Sequence, residues 1–533
     1  MSNATQAINK LDATINSFKT KIDVKVNEVS RSSDEVQVTT DQIYQNISKF
    51  REQMYLSEEK QIAHENILRI DQMIKEQFSN HETIRRTIMG IVRDFDINLV
   101  RNSTIQELSE ELWITSSRYW LSYALIAVTA WVNNYPEVAK NALAESGRRD
   151  AVKTTLFFCL MNLRFGRIET AKRWFYEYFK TLDPTMLQQE TAIVLQAFLN
   201  GIFGKDQEIE HEVVTLIDTW ISIIKDSEEI SNALLSAYEN YINNLRPTQE
   251  FSYSHIMQFC TNTSEAQGTF LAASKFRAML DMVKSYETEE EQGDLSGYKE
   301  RIDAVLMDLI SKYDEEELTL LKQQNYFKCI IEYDGDKQAA EQKYEEIERQ
   351  SSSQNFNIGR QMIMWALYDS ERTNAKVRRF GFQNTRSWFK EAVERFHVKL
   401  EEQIPRDFSL SIDTWEGIST GNDRAMLTES MKTHFENHKF QYMYVNTPNI
   451  AAIIVFVISV ALAFLTPFSL IATAAAAGFL VFRVIKAQKD YKLRIEKALE
   501  NLNRCLDEIA EYQTAMSEMC ALKNNVLSEA DFV

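Results

Sequence analysis

A long apolar stretch begins at Ile450 and ends at Phe482, and its 33 residues include no Asp, Glu, Lys or Arg. A transmembrane helix needs about 20 apolar residues to cross a hydrocarbon core about 30 Å thick. A core helix of a globular protein rarely stays apolar on every face over such a length. Residues 450–482 are therefore predicted to enter a lipid bilayer.

Pro467 divides this segment into two halves of similar length. Because proline disrupts the interior of a helix, residues 466–467 are a predicted turn. Two topologies are compatible with such a turn: a kinked single pass, or a hairpin with its tip at Pro467. The alanine run 474–477 gives the second half a smooth face for close helix packing, which favours the hairpin.

Basic residues directly follow the segment, and positively charged flanks of membrane segments stay in the cytoplasm. A single pass would place residues 1–448 outside, although the N-terminus lacks the apolar core of a secretory signal peptide. A hairpin keeps both flanks on one side. We therefore expect a membrane protein whose bulk is cytoplasmic. Its predicted cytoplasmic anchor residues are Arg483, Lys486, Lys489, Lys492 and Arg494.

The whole chain is poor in the residues that make turns and sheets, with only 14 Gly and 6 Pro among 533 residues. Average usage of about 7% Gly and about 5% Pro would supply several times as many. An all-α protein with long helices and few loops is predicted. One segment, 408–415, alternates apolar and polar residues and is the best candidate for a short strand or an extended connection.

Pattern and composition divide the chain into six predicted segments. They are 1–105, long helices with a candidate coiled coil; 106–286, helical hairpins; 298–348, a charged helical hairpin; 360–448, a helical unit with a basic cluster; 450–482, the membrane segment; and 486–530, a C-terminal coiled-coil helix.

The coiled-coil predictions come from apolar residues at alternating spacings of three and four, starting at Ile8 and again at Ile495. Such seams would allow self-association. An amphipathic helix packed within its own domain gives the same pattern, so both interpretations stay open. The charge-dense residues 51–80 are expected to fold back on the first helix.

Two stretches share one order of features: a small residue, a turn, an Ala five residues later and a large apolar residue four after that. The turns at Asn134 and Gly166 lie 32 residues apart. A third stretch has a similar order, although Lys328 stands where a small residue is expected. The positions concerned are Ala139 and Leu143 after Asn134, Ala171 and Phe175 after Gly166, and Ala340 and Tyr344 after Gly335.

This arrangement resembles the tetratricopeptide repeat, whose period is about 34 residues, over roughly a fifth of the chain. The resemblance implies stacked helical hairpins that present a groove to protein partners. Any antiparallel helix pair also needs a small residue at its crossing, which is the alternative explanation. In either case we expect Gly166 to have a positive φ, Ala171 to lie at a helix crossing, and Lys172 to be exposed.

No signature of catalysis or of a cofactor site stands out. Phosphate-binding loops, dinucleotide-binding glycines, nucleophile elbows and HExxH zinc motifs are absent from the sequence. The net charge of −18 argues against a general nucleic-acid binder, which needs a basic surface. The five cysteines lie far apart and favour neither a disulfide framework nor a zinc site. We predict a protein that is not an enzyme and has no cofactor.

His434 and His438 form the one histidine pair at helical spacing. Four residues apart, they would share a helix face and could bind a metal together with a nearby carboxylate. Two solvated histidines in front of a membrane segment are the alternative.

A basic cluster interleaved with aromatic residues lies within 372–390. Contact with anionic lipid headgroups, contact with nucleic acid, and an ordinary charged helix face countered by Glu391 and Glu394 are three interpretations. The acidic run 314–317 is expected to be a solvated face. The cations of the cluster are Arg372, Lys376, Arg378, Arg379, Arg386 and Lys390, and its aromatic residues are Phe380, Phe382, Trp388 and Phe389.

The first functional hypothesis is a membrane-anchored helical scaffold that binds protein partners through its hairpins. The second is a pore-forming or membrane-remodelling protein, because long helices beside an apolar hairpin resemble the layout of the α-helical pore-forming toxins. Those toxins shield the hairpin until they meet a target membrane. Fractionation as an integral membrane protein or as a soluble monomer would separate the two hypotheses.

Overall fold

The computed structural model describes residues 2–94, 118–204, 206–288, 295–351, 355–368, 373–445, 447–463 and 469–533. Within these ranges the protein is helical apart from one two-stranded sheet. The predicted all-α class is therefore confirmed.

The chain forms two compact units, each assembled from two stretches of sequence. Unit 1 comprises Met1–Leu182 and Glu300–Gln354, and unit 2 comprises Asp183–Lys299 and Asn355–Val533. A division into consecutive segments does not capture this organisation.

The described helices of unit 1 are α1 (Ser2–Asp94), α2 (Trp120–Val132), α3 (Pro136–Arg149), α4 (Ala151–Arg164), α5 (Ile168–Lys180), α11 (Leu295–Ser311, most of which lies in this unit), α12 (Glu315–Glu332) and α13 (Lys337–Ser351). Those of unit 2 are α6 (Gln189–Leu199), α7 (Gln207–Asp226), α8 (Glu228–Asn244), α9 (Ser254–Phe259), α10 (Thr263–Thr288), α14 (Ile358–Leu367), α15 (Ala375–Gln403), α16 (Arg424–Tyr444), α17 (Thr447–Ala463) and α18 (Ser469–Phe532). Strands β1 (Phe408–Ile412) and β2 (Trp415–Ser419) also belong to unit 2.

Helix α1 is continuous over 93 residues. The prediction that residues 51–80 fold back on the first helix is therefore wrong. The physical reason is the absence of a chain breaker: the first glycine is Gly90 and the first proline is Pro136. Residues 10–55 are exposed, whereas the helix beyond them packs on α12 and buries Ala63 and Ile70.

Two of the predicted turns close in the same way. Asn134 and Gly166 have φ values of 63° and 71°, so the expected positive φ at Gly166 is confirmed. The next residue in each turn donates its N–H back into the preceding helix, from Tyr135 to Ala130 O at 2.8 Å and from Arg167 to Asn162 O at 2.9 Å. This is the hydrogen-bonding pattern of a helix that ends in a left-handed residue.

The alanines that follow the turns at Gly166 and Gly335 lie at helix contacts. Ala171 and Phe175 on α5 are fully buried, and Ala340 on α13 packs with Ala63 and Cys329. The expectation that Lys172 is exposed is wrong. Its side chain is only 4% exposed, and its Nζ lies 2.9 Å from Glu169 Oε1, so the aliphatic part of the side chain is packed while the charge is paired.

Replacing Gly335 by alanine should destabilise unit 1 more than the same change at Gly166. Both glycines have positive φ, which costs a side-chain-bearing residue about 1–2 kcal/mol. A Cβ at Gly335 would also lie 2.0 Å from the carbonyl oxygen of Leu56 on α1, whereas a Cβ at Gly166 meets nothing within 4 Å. Hydrogen–deuterium exchange should show faster exchange in α12 and α13 for Gly335→Ala than in α4 and α5 for Gly166→Ala. Equal acceleration would mean that α1 does not approach this turn closely.

The segment predicted as a strand, 408–415, contains β1 and the turn that follows it. Strands β1 and β2 pair antiparallel with Ile412 opposite Trp415, and Asp413 in the turn has a φ of 60°. Phe408, Leu410 and Ile412 are buried on one face of the hairpin, as the alternation predicts. The prediction of a short strand is confirmed.

Helix α18 is 64 residues long and ends in the core of unit 2. Leu502, Leu506, Ile509 and Met516, which belong to the stripe predicted as a coiled-coil seam, are buried, and the helix packs on α10, α15 and α16. This stripe is therefore core of unit 2, not a seam available to a second chain.

Candidate functional site: an apolar helix pair with a basic end

Helix α17 and the beginning of α18 lie side by side. Thr473 Oγ1 on α18 donates to Ser459 O on α17 at 3.1 Å, and Asn449 and Arg483 line one cleft. Ser459 and Thr473 are each seven residues from position 466, and Asn449 and Arg483 are each seventeen residues from it. Residues at equal distances before and after this position therefore lie together, which means that the two helices are antiparallel. The turn predicted at Pro467 falls outside the described residues. We call residues 450–463 and 469–482 the apolar hairpin.

Many large side chains of the apolar hairpin face outwards. On a folded protein, a contiguous apolar surface of this kind marks a contact with a membrane, a ligand or a partner. The later part of α18 differs, because Leu502, Leu506, Ile509 and Met516 are buried there. Hairpin residues that are more than half exposed are Ile454, Val455, Val457, Ile458, Phe479, Val481 and Phe482.

In the part of the chain that the structure describes, no helix taken alone has both the length and the apolar composition for a membrane span. Two consecutive helices, Arg424–Met443 and Pro448–Ala461, meet those criteria only when taken together, and they are bent by 45° relative to each other.

The predicted cytoplasmic anchor residues begin where the apolar hairpin ends. Arg494 differs from the other four because Asp413 accepts hydrogen bonds from its Nε and Nη2, and its guanidinium lies 4.3 Å from the ring centre of Tyr442. These hydrogen bonds raise the pKa of Arg494 and hold the pKa of Asp413 below its usual range. Arg494 therefore attaches α18 to the β1–β2 turn within unit 2.

His434 and His438 share one face of α16, with ring centres 4.4 Å apart, as their spacing predicts. His434 Nε2 lies 3.3 Å from Thr414 Oγ1, and His438 Nδ1 lies 2.8 Å from His434 O. Among the described residues, no three His, Cys, Asp or Glu side chains come together as metal ligands. The structure therefore brings the two rings together without a third ligand from the residues it describes.

The basic cluster at 372–390 is largely used inside unit 2. Arg379 donates to Tyr286 O at 2.9 and 2.6 Å, and Lys390 Nζ lies 2.9 Å from Asp531 Oδ2. The counter-charge of Lys390 is thus Asp531, not Glu391 or Glu394. Phe382, Trp388 and Phe389 are buried, so these aromatic residues are core and cannot stack on bases. Arg372 lies outside the described residues.

The prediction that 314–317 is a solvated acidic face is wrong at Glu317, which is buried. Arg85 Nη1 and Nη2 on α1 bind its two carboxylate oxygens at 2.7 and 2.9 Å, and His81 Nδ1 lies 3.5 Å away. The ring of Tyr119 stacks on His81 with centres 3.9 Å apart. Burial alone would raise the pKa of Glu317, but the nearby His81 ring and the hydrogen bonds from Arg85 outweigh the effect of burial and lower the pKa.

Helices α2–α5 and the end of α1 line a groove of about 690 Å³ in unit 1. Phe158 and Trp174 stack in it at 5.4 Å between ring centres, and the Arg167 guanidinium lies 3.7 Å from the Trp131 ring centre. With Lys140, this arginine gives the mostly apolar groove a basic rim. Other lining residues are Ile91, Ala127, Val128, Ala139, Leu143, Met161 and Phe165.

Comparison of the chain with protein-family models, with curated proteins and with solved structures gave no match.

Proposed function

We propose that this protein is a membrane-anchored helical scaffold, with the apolar hairpin as its anchor and the groove of α2–α5 as a partner site. The observation that carries the proposal is the outward-facing apolar surface of the hairpin, which is joined to a buried core without a break in α18. Water is a poor solvent for that surface, whereas lipid tails are a good one.

The lengths of the helices support a hairpin over a single pass. Each described arm of the apolar hairpin has 14 residues, which at 1.5 Å per residue extends about 21 Å, against a hydrocarbon core of about 30 Å. An antiparallel pair of such arms enters and leaves the bilayer at the same face. Both polar flanks then stay on one side, as the basic residues after Phe482 favour.

Helix α18 would connect the anchor rigidly to unit 2. Its 64 residues extend for about 96 Å, from the apolar hairpin through the basic stretch into the core. A tilt or displacement of the anchor would therefore be transmitted along one helix, without a loop in between. This rigidity suits a scaffold that holds its body at a fixed distance from the membrane.

Exposure of the hairpin also favours a permanent anchor over the pore-forming alternative. A protein that shields its hairpin until it meets a target membrane would bury Val457 and Phe479, yet both are more than half exposed. We therefore expect the protein to fractionate with membranes from the time of its synthesis.

The groove is suited to a peptide segment with large apolar side chains and an acidic group. Phe158 and Trp174 would contact the apolar part, while Lys140 and Arg167 would attract the acidic group. The tetratricopeptide-like order of the α2–α3 and α4–α5 hairpins supports this use of the groove. The exposed apolar stripe on residues 10–55 of α1 supports self-association as a coiled coil.

The hairpin topology predicts that both ends of the chain lie on the same side of the membrane. Ser17 and Ser528 are exposed, and each would be changed to cysteine in a background without the five native cysteines. A membrane-impermeant maleimide should label both positions in inverted vesicles and neither in intact cells. Labelling from opposite sides would contradict the hairpin and favour a single pass.

A further inference from the structure

A small polar cleft lies at the basic end of the apolar hairpin, where α16, α17 and α18 meet. It has a volume of about 120 Å³ and is lined by charged, amide and phenol groups. The lining residues are Tyr442, Asn449, Arg483, Lys486, Ala487, Asp490, Tyr491 and Arg494.

Asn449 is buried in this cleft, and its amide oxygen accepts no hydrogen bond from the described residues. The residue is 4% exposed, and its Nδ2 donates to Met443 O at 2.6 Å. That bond fixes the orientation of the amide, and its Oδ1 has no hydrogen-bond partner among the described residues. A buried acceptor without a donor is costly, so the site is built to receive a donor from a ligand.

The cleft contains both positively charged side chains and hydrogen-bond acceptors. Within the described residues, Arg483 and Lys486 form no ion pair, while Arg494 is neutralised by Asp413. Asp490 also lines the cleft and adds a carboxylate to the Asn449 oxygen. The cleft thus combines two free cations with two acceptors, which suits a ligand carrying both an anion and a hydrogen-bonding cation.

We propose that this cleft binds the phosphoethanolamine headgroup of a phospholipid. The phosphate would contact Arg483 and Lys486, and the primary ammonium would donate to Asn449 Oδ1 and to Asp490. A choline headgroup has no N–H donor and leaves Asn449 unpaired. The cleft follows directly on the apolar hairpin, at the level where headgroups lie if the proposed anchor is correct, so this inference rests on the proposed function.

The test uses the full-length protein in mild detergent, incubated with equal amounts of dioleoyl phosphatidylethanolamine, phosphatidylcholine and phosphatidylglycerol. Native mass spectrometry then counts the retained lipids. We expect the ethanolamine lipid to exceed the choline lipid about fivefold, as for one additional charge-assisted contact. Asp490→Asn should remove most of this preference, and Lys486→Gln should lower the retention of all three lipids. Glu496→Gln and Lys497→Gln, exposed neighbours on α18 outside the cleft, are the matched controls.

Equal retention of the ethanolamine and choline lipids would overturn the inference, as would an unchanged preference in Asp490→Asn. Preferential retention of phosphatidylglycerol would contradict the proposed contacts of the ammonium group with Asn449 and Asp490. Carbonate extraction of the same protein from membranes keeps the two proposals apart. If the protein resists extraction, the anchor stands whichever lipid is retained; if it is extracted, the proposed function fails.

Discussion

Three arginines on the outer face of the apolar hairpin are expected to release the protein from membranes. Val455, Ile458 and Phe479 are each more than half exposed, so Val455→Arg, Ile458→Arg and Phe479→Arg disturb little packing. An arginine at the bilayer centre costs about 2.5–3.5 kcal/mol and less nearer the headgroups, so the three arginines together cost several kcal/mol. The triple variant should move from the pellet to the supernatant after carbonate extraction.

The matched control places the same charges on an exposed apolar surface elsewhere. Phe18→Arg, Ile22→Arg and Val29→Arg alter the stripe on α1, whose residues are exposed to a similar degree. This control should stay in the pellet. If both triple variants remain membrane-bound, or both are released, the hairpin is not the anchor.

Deletion of residues 450–482 also tests whether the apolar hairpin anchors the protein to membranes. Asn449 and Arg483 line one cleft, so the ends left by the deletion lie close enough to join. We expect a protein without membrane attachment whose circular dichroism still shows a folded helical body. Loss of that signal would identify the hairpin as a core element of unit 2.

The features that sequence analysis predicted depend on short-range signals. The length of the uncharged run at 450–482, the scarcity of Gly and Pro, and the alternation at 408–415 each act within a few turns of chain. The left-handed turn at Gly166 also depends on a short-range signal, because the glycine itself permits the positive φ that ends the helix. These signals predicted the helical class, the first strand of the β-hairpin and the turn at Gly166.

What could not be predicted depends on residues far apart in the chain. Arg85 and Glu317 are 232 positions apart, and no local sequence pattern indicates that they form a buried ion pair. Lys390 pairs with Asp531, although Glu391 and Glu394 are nearer in sequence. The unpaired Oδ1 of Asn449 could not be predicted either, since an asparagine in the first turn of a helix is common.

Replacing Glu317 by glutamine is expected to destabilise unit 1 by about 3–5 kcal/mol, because it leaves the buried guanidinium of Arg85 without its carboxylate. The folded carboxyl group has a lowered pKa, so its stabilising contribution is full above the unfolded pKa and disappears as the pH falls through the folded value. The wild type should therefore lose stability on acidification below about pH 4.3, the ordinary range of a glutamate. Glu317→Gln should lack this part of the pH dependence.

Hydrogen–deuterium exchange at neutral pH measures this loss for unit 1 without requiring the whole chain to unfold in one step. Amides of α12 and of the buried part of α1 should exchange about a hundredfold faster or more in Glu317→Gln. The control is Glu82→Gln, which breaks an ion pair with Arg86 on the exposed face of α1. Because a surface pair contributes about 0–1 kcal/mol, that variant should exchange nearly as slowly as the wild type. Equal exchange in the two variants would show that Arg85 reaches water once its partner is gone, and that the buried ion pair does not hold α1 to α12.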